Sequence, residues 1–380
     1  MTASAQPLVT VLMPVYNGER YLRQSIESIL GQTFSDFEFL IIDDGSMDAS
    51  REIVRSYSDP RIRLVENGKN WGLIKTLNRG LQLARGQFIA RQDADDISHP
   101  TRFQSQVTFF NDHPEIVLLG TGVNIIDEHS RKRICYGYYI VSSEVAIRWQ
   151  LMFDNPFVHP TVMMRTKTVR QLGGYDEHFQ ECEDYDLFSR IVCAHKTSNL
   201  KEILLDYRYH GVSINANRKE ENHLRMGDIL RRTFSHCMNV PPVEEWINFW
   251  LGINNAFAFD FTVNAKKLSE YIDAIYEKFI LRYPEAQNNA EIKKHISHVY
   301  LRILYTITLK NRRASLGLLG CLFKRDISLA CRFLPKYLVA FILGGHRTSI
   351  ANKLRSIVFP RKRNTTEGIA YAAGKTSGAI

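Results

Sequence analysis

Residues 88–100 read FIARQDADDISHP. The apolar run Phe88-Ile89-Ala90 has the composition of a buried strand, and it delivers Asp93, Asp95 and Asp96 at its carboxyl end. Carboxylates this close raise one another's pKa unless a cation or hydrogen-bond donors compensate. A divalent cation meets that need: Mg²⁺ or Mn²⁺ prefers hard oxygen ligands and combines one or two protein carboxylates with water and substrate phosphates. Asp-x-Asp at a strand end is therefore a candidate clamp for a metal-bound diphosphate. Acidic turn residues and helix caps are the competing explanation for the same letters.

Outward from this stretch, residues 8–120 alternate strand and helix, which predicts an α/β fold with a parallel sheet covered by helices. LVTVLM leads into a helix over GERYLRQSIESILGQ, with Leu22, Ile26, Ile29 and Leu30 on one face. FEFLII follows, and Ser46 is placed to cap MDASREIVRSY. RIRLVEN is a third strand and GLIKTLNRGLQLARG a third helix. Ligands of open α/β sheets bind beyond the carboxyl ends of the strands. Pro14-Val15-Tyr16-Asn17, Asp43-Asp44-Gly45-Ser46 and Asp93 to Asp96 are accordingly expected to converge on one crevice. No GxGxxG follows the first strand and no GxxxxGK[ST] occurs, so the dinucleotide and P-loop readings lose their main support.

Residues 114–210 are mixed, with IVLLG, RICYGYYI, HPTVMM and KEILLDYRYH as short strands around helices near 143–152 and 183–195. Beyond about 217 the pattern is helical. The chain has 380 residues and a formal net charge of +9, which favours anionic partners without choosing among them. Much of that charge lies in residues 310–363, where Asp326 is the sole acid among many Lys and Arg interleaved with apolar runs. Such a basic amphipathic stretch suits an anionic membrane surface; a helical cap with a solvated basic face is the alternative. The 6 cysteines form no CxxC pair, so neither a zinc module nor a disulfide framework is indicated and a reducing compartment is expected. The opening residues read as a first strand, too short in apolar length for a signal or membrane segment.

A second acidic constellation, Glu181-Cys182-Glu183-Asp184-Tyr185-Asp186, opens a helix with Leu187, Ile191 and Val192 on its buried side. Acids there are stabilised by the helix dipole, so capping alone accounts for any one of them.

Taken in order and spacing, VTVLMPVYNGERYLRQSIESILGQTFSDFEFLIIDDGSMDAS, ARGQFIARQDADDISHPTRF, NPFVHPTVMMR and LGGYDEHFQECEDYDLFSRI resemble the inverting glycosyltransferases of family 2, over roughly residues 7–215. The resemblance implies a GT-A fold, the fold of nucleotide-diphospho-sugar transferases, with a mainly parallel sheet; the helical C-terminal region is read from the pattern beyond 217. It places Pro14, Tyr16, Asn17 and Glu19 around the nucleotide and Asp44 at the base edge, where a carboxylate can accept a uracil N–H and Tyr16 can stack. Asp93 and Asp95, with Asp96 beside them, become the DxD that contacts ribose and metal. Lys75 stands near the place of a family arginine, as a point charge instead of a planar fork. Glu183-Asp184 matches the ED motif, with Asp184 as general base, Glu183 orienting and Asp186 the fallback. His159 matches a pocket-edge position. Arg208 and His210 fall in the segment that approaches the diphosphate.

The implied function is metal-dependent, inverting transfer of a sugar from a nucleoside diphosphate, UDP being expected, to a hydroxyl of a glycan or lipid-linked acceptor in bacterial exopolysaccharide, capsule or lipopolysaccharide assembly. The implied place is the cytoplasm, peripheral on the inner face of the membrane, with no nucleic-acid partner. The change of pattern near 217 and the composition of the tail give the expected division: 1–216 for the transferase domain, 217–363 for a basic helical region and 364–380 for a disordered tail. A catalytically silent nucleotide-sugar-binding or scaffold protein is the alternative, and the intact DADD and ECEDYD weigh against it.

Overall fold

A computed structural model describes residues 6–133, 140–209, 221–254, 265–308 and 319–320; His210 and residues 321–380, with most of the basic segment and the whole of 364–380, lie outside the described residues. The strands β1 (Val9–Val15), β2 (Phe37–Asp43), β3 (Ile62–Glu66) and β4 (Phe88–Arg91) pair in parallel in the order β3-β2-β1-β4. The helices α1 (Glu19–Leu30), α2 (Ser50–Arg55) and α3 (Leu73–Leu83) connect them. β1, β2 and β4 are buried along their whole length, which explains their near-continuous apolar runs. Leu22, Ile26 and Ile29 of α1, and Leu77 and Leu81 of α3, turn inward as their spacing requires.

One local expectation is corrected. The second helix starts at Ser50 and is not capped by Ser46: Asp48 Oδ1 accepts from the Ser50 N–H at 3.0 Å, while Ser46 Oγ accepts from the Asn17 N–H at 3.0 Å. Ser46 thus serves the neighbouring β1 loop.

Past β4 the sheet becomes mixed. β8 (Met163–Arg165) runs antiparallel between β4 and β6 (Ile116–Ile126). β9 (Lys196–Arg208) lies parallel to β6 with register shifts and antiparallel to β5 (Ile97–Ser98), while β7 (Lys132–Arg133) pairs antiparallel with β6. The parallel pattern therefore describes the first half of the sheet, and short strands that leave no readable period complete the second. α4 (Arg102–Asp112) covers one face; α5 (Glu144–Leu151), α6 (Thr166–Gln171) and α7 (Glu183–Ala194) follow in the later half.

Two apolar layers result. One holds Leu22, Ile26, Phe103 and Val107 against Val11, Phe39 and Ala90. The other joins Leu40, Leu77 and Ile89 to Phe188 and Ile191, then continues into the C-terminal helices α8 (Glu221–Met238), α9 (Glu244–Asn254), α10 (Ala265–Arg282) and α11 (Ala290–Thr308). Phe153 meets the edges of Trp246 and Trp250 at centroid distances of 5.7 and 5.5 Å, arrangements favoured by the ring quadrupoles. Among the described residues no helix is long and apolar enough to cross a membrane.

Candidate active site

The carboxyl ends of β1, β2 and β4 meet on one edge of the sheet, and their loops are fastened to one another. Asn17, in the left-handed region at φ 50, accepts at Oδ1 from the Met47 N–H at 2.8 Å. Glu19 Oε2 accepts from the Ala49 N–H at 3.0 Å, and the Glu19 N–H donates to Asp48 Oδ2 at 3.0 Å. Pro14 is buried within β1, whereas Tyr16 stands 46% exposed at the rim. Of this group, Tyr16 is the side chain left available to stack on a base.

Asp44 is buried and gathers a second loop. Its Oδ1 accepts from Asn67 Nδ2 at 2.7 Å and the Trp71 N–H at 2.9 Å, and Oδ2 from the Gly72 N–H at 3.0 Å. A carboxylate offers about four acceptor sites, so roughly one lone pair stays available on Oδ2. The close approach of this loop depends on Gly45, at φ 76: a Cβ there would lie 2.5 Å from the Lys69 carbonyl carbon. Lys75 sits in the first turn of α3, exposed, 3.5 Å from Glu177.

The DADD loop is braced from beneath. Ser25 Oγ donates to the Asp93 carbonyl at 2.8 Å, and Gln92 Nε2 donates to the Asp96 carbonyl at 3.0 Å. Arg102, wholly buried, donates to Gln92 Oε1 at 2.9 Å and to the Arg91 carbonyl at 2.8 Å. Asp93, Asp95 and Asp96 bring carboxylate oxygens within 4.8 Å of one another. Burial, then the charges of Asp95 and Asp93, push the Asp96 carboxyl well above the usual range, and its buried Oδ2 has no hydrogen-bond partner. Clustered hard oxygens with an unsatisfied buried atom fit Mg²⁺ or Mn²⁺.

Arg208 has a different place from the expected one. It is 1% exposed, and its guanidinium donates to the Asp95 carbonyl at 2.8 Å, the Asp127 carbonyl at 3.1 Å, Ser130 Oγ at 3.0 Å and Gln24 Oε1 at 3.0 Å. Its own N–H donates to Asp96 Oδ1 at 2.7 Å, and it stacks over Tyr21 at 4.3 Å. With its donors spent on protein acceptors, Arg208 fixes the acidic loop; it does not reach over a phosphate. His210 lies outside the described residues.

The ED motif opens α7. Asp184 Oδ2 accepts from Asn155 Nδ2 at 3.0 Å, and Oδ1 from the Tyr185 N–H at 2.7 Å. Glu183 is buried, and burial followed by the Asp184 charge raises its carboxyl to about 7. Asp186 is fully buried between Arg190 at 2.6 Å and Arg232 at 2.7 Å, so the fallback base is a structural anchor without access to a substrate. Arg190 also donates to the carbonyls of Leu172 and Gly174, both at 2.7 Å, tying the preceding loop to the same helix.

That loop carries Tyr175, held by Asn78 through two hydrogen bonds of 2.9 and 2.7 Å. Gly174, at φ 69, permits this clamp, since a Cβ there would lie 2.6 Å from Asn78 Oδ1. His159 Nε2 is 2.9 Å from the Tyr175 hydroxyl, and burial, aided by the Arg91 charge, depresses its pKa well below the usual value. The imidazole is therefore neutral, and its tautomer sets which partner donates in the bond to the tyrosine. Asp93 and Arg91 both bear electrostatically on Glu183 and Tyr175, so the fold brings DADD and ED to one site. Sequence reading passed over Arg91 and Asn155, which look like an ordinary strand residue and an ordinary turn residue.

The glycosyl transferase family 2 model matches residues 10–173. The chain is 34% identical over 216 residues to the amylovoran biosynthesis glycosyltransferase AmsE of Erwinia amylovora, covering 56% of this chain and 80% of that protein. The chain belongs to glycosyl transferase family 2. A second relative of this family 2 enzyme is the O-antigen biosynthesis glycosyltransferase WbnJ of Escherichia coli, 33% identical over 217 residues, with 54% of this chain and 81% of that protein covered. The structure of S. aureus TarS 1–349 in complex with UDP-GlcNAc superposes with a TM-score of 0.52 at 15% identity, over 88% of this chain and 90% of that one. The likeness establishes the GT-A type fold, a mixed sheet flanked by helices with a helical C-terminal region.

Proposed function

We propose that this family 2 glycosyltransferase transfers a sugar from a UDP-sugar, with inversion, to a hydroxyl of a glycan or lipid-linked acceptor in bacterial surface-polysaccharide assembly. The observation that carries the reading is the convergence of the DADD loop and an Asp184 carboxylate oriented by Asn155 on one edge of the sheet. The polysaccharide roles printed in the names of AmsE and WbnJ support the pathway class, and the UDP-GlcNAc bound to TarS is in keeping with a UDP donor.

Tyr16 stacks on the base and Asp44 accepts its N–H through the spare lone pair. Lys75, freed from its exposed pair with Glu177, turns toward the phosphates, that pair being worth little. Asp95 and Asp93 would hold Mg²⁺ or Mn²⁺, which supplies positive charge opposite the leaving diphosphate when bound. Asp184 takes the proton of the acceptor hydroxyl, and its Oδ2 is kept in line by the Asn155 amide. Glu183, raised to about 7, is largely protonated below neutrality and limits the negative charge beside the base. Cytoplasmic placement with residues 310–363 against the inner membrane face is part of the proposal and rests on sequence, because those residues lie outside the described ones apart from 319–320.

The test is a panel of UDP-, GDP- and dTDP-sugars assayed for donor consumption with Mn²⁺, Mg²⁺ or chelator. Metal-dependent consumption of a UDP-sugar is expected. Turnover confined to another nucleotide, or undiminished in chelator, contradicts the donor or the metal part of the reading.

A further inference from the structure

Arg91 is where the two acidic clusters meet. Side chains alternate along a strand: Phe88 and Ala90 join the layer under α1 and α4, Ile89 joins the layer under α3 and α7, and Arg91 follows Ile89. The next residue, Gln92, turns back toward Ser25 and Arg102. Arg91 is 2% exposed, and its charge bears on Asp93, Asp96, Tyr175, His159 and Glu183. Its Nη1 lies against Asp93 as an ion pair, yet neither Nη1 nor the buried Nε has a hydrogen-bond partner in the structure. Asp93 is 31% exposed, so the crevice opens onto the carboxylate that Arg91 lies behind. Buried donors are nearly always satisfied in a working protein, and one left without a partner points to a group that arrives later.

In a displacement with inversion, the anomeric carbon lies between the leaving diphosphate and the base. With the diphosphate at Asp93 and Asp95 and the base at Asp184, the sugar ring spans the interval that Arg91 occupies. We propose that Arg91 is a donor-sugar contact: a ring hydroxyl oxygen of the transferred sugar accepts a hydrogen bond from its guanidinium, which selects the sugar and presents it to Asp184. The oxygen is a neutral hydroxyl and not a carboxylate, because Asp93 already offsets the cation and further acids surround it. This inference rests on the donor reading above and specifies it.

The experiment compares the affinity of UDP with that of the UDP-sugar the wild type binds most tightly, by titration calorimetry with Mn²⁺, in wild type, Arg91→Lys and Arg91→Gln. UDP affinity is expected to stay within about threefold, while the sugar's added affinity is lost and kcat/KM falls about 10- to 100-fold. Lys restores part of the loss as a point charge without the planar fork. Equal weakening of UDP and UDP-sugar, or no change in either, overturns the proposal. If the wild type binds no uridine nucleotide, the donor reading itself fails and the inference with it, an outcome distinct from the others. Should neither variant fold, monodeoxy analogues of the sugar donor test wild type directly: one is expected to bind no better than UDP, and uniform binding of all of them overturns the contact.

Discussion

Arg232 Nη2, on α8, lies 2.7 Å from Oδ1 of Asp186, on α7. The bond joins the helix that begins with Glu183-Asp184 to the helical region that follows the sheet. Arg232 also donates to Ser189 Oγ at 2.6 Å, and its guanidinium stacks over Phe179 at 5.5 Å. Because Asp186 is fully buried, removing one of its two cations leaves a charge that water cannot reach. Arg232→Met is therefore expected to lower unfolding free energy by about 1–3 kcal/mol in urea denaturation. Unchanged stability would show that Arg190 alone suffices.

A second fastening joins the same two regions. Glu291, on α11, accepts from the Ser142 N–H at 3.0 Å and the Ser143 N–H at 2.9 Å at the start of α5, and pairs with Lys201 at 2.7 Å. Burial opposes its ionisation, but Lys201 and the two serines outweigh it and draw the carboxyl down to about 2. The depressed pKa fixes the sign. The unfolded state takes up a proton first as pH falls, so the stabilisation is complete above the ordinary carboxyl range and is lost on the way down to about 2. The stability difference between wild type and Glu291→Gln, followed by thermal unfolding from pH 7 to pH 2, is expected to shrink over that interval; a constant difference contradicts the assignment.

Glu183 has the opposite sign. Burial and the neighbouring Asp184 raise its carboxyl from 4.5 to about 7, so the folded state holds a proton that the unfolded chain has released. Its contribution is fully present below the unfolded value and is lost as pH rises through about 7. Glu183→Gln is thus expected to match wild-type stability near pH 4.5 and to exceed it at pH 8 by about 1–3 kcal/mol. A gain of equal size at both pH values would locate the cause elsewhere.

Several of these relationships were legible in the sequence and several were not, for physical reasons. The strand ends bearing Asp44 and Asp93 to Asp96 were visible because buried parallel strands are continuous apolar runs and their polar ends stand out. β8 falls within HPTVMM, which reads as a short strand, but its antiparallel place between β4 and β6 was not legible because three residues carry no period that selects a partner. Asp184 and Asp186 differ by two positions in one acidic run, yet the first accepts from Asn155 and the second is enclosed by arginines. No local pattern separates them, since Arg232 lies 46 residues away. The resemblance directs Arg208 toward the diphosphate, whereas its acceptors are two backbone carbonyls and the side chains of Ser130 and Gln24, all far from it in sequence. Arg91 escaped notice because an arginine ending a strand is unremarkable until its unpartnered Nε is seen in three dimensions.

The central claim is that Asp184 is the base, oriented by Asn155. The direct measurement is the metal-supported rate of UDP-sugar consumption by wild type, Asp184→Asn and Asn155→Ala, with UDP affinity measured in parallel. The account predicts a fall of about 10²- to 10⁴-fold in kcat for Asp184→Asn, a smaller fall for Asn155→Ala and unchanged UDP affinity in both; an Asp184→Asn enzyme that turns over at the wild-type rate would contradict it.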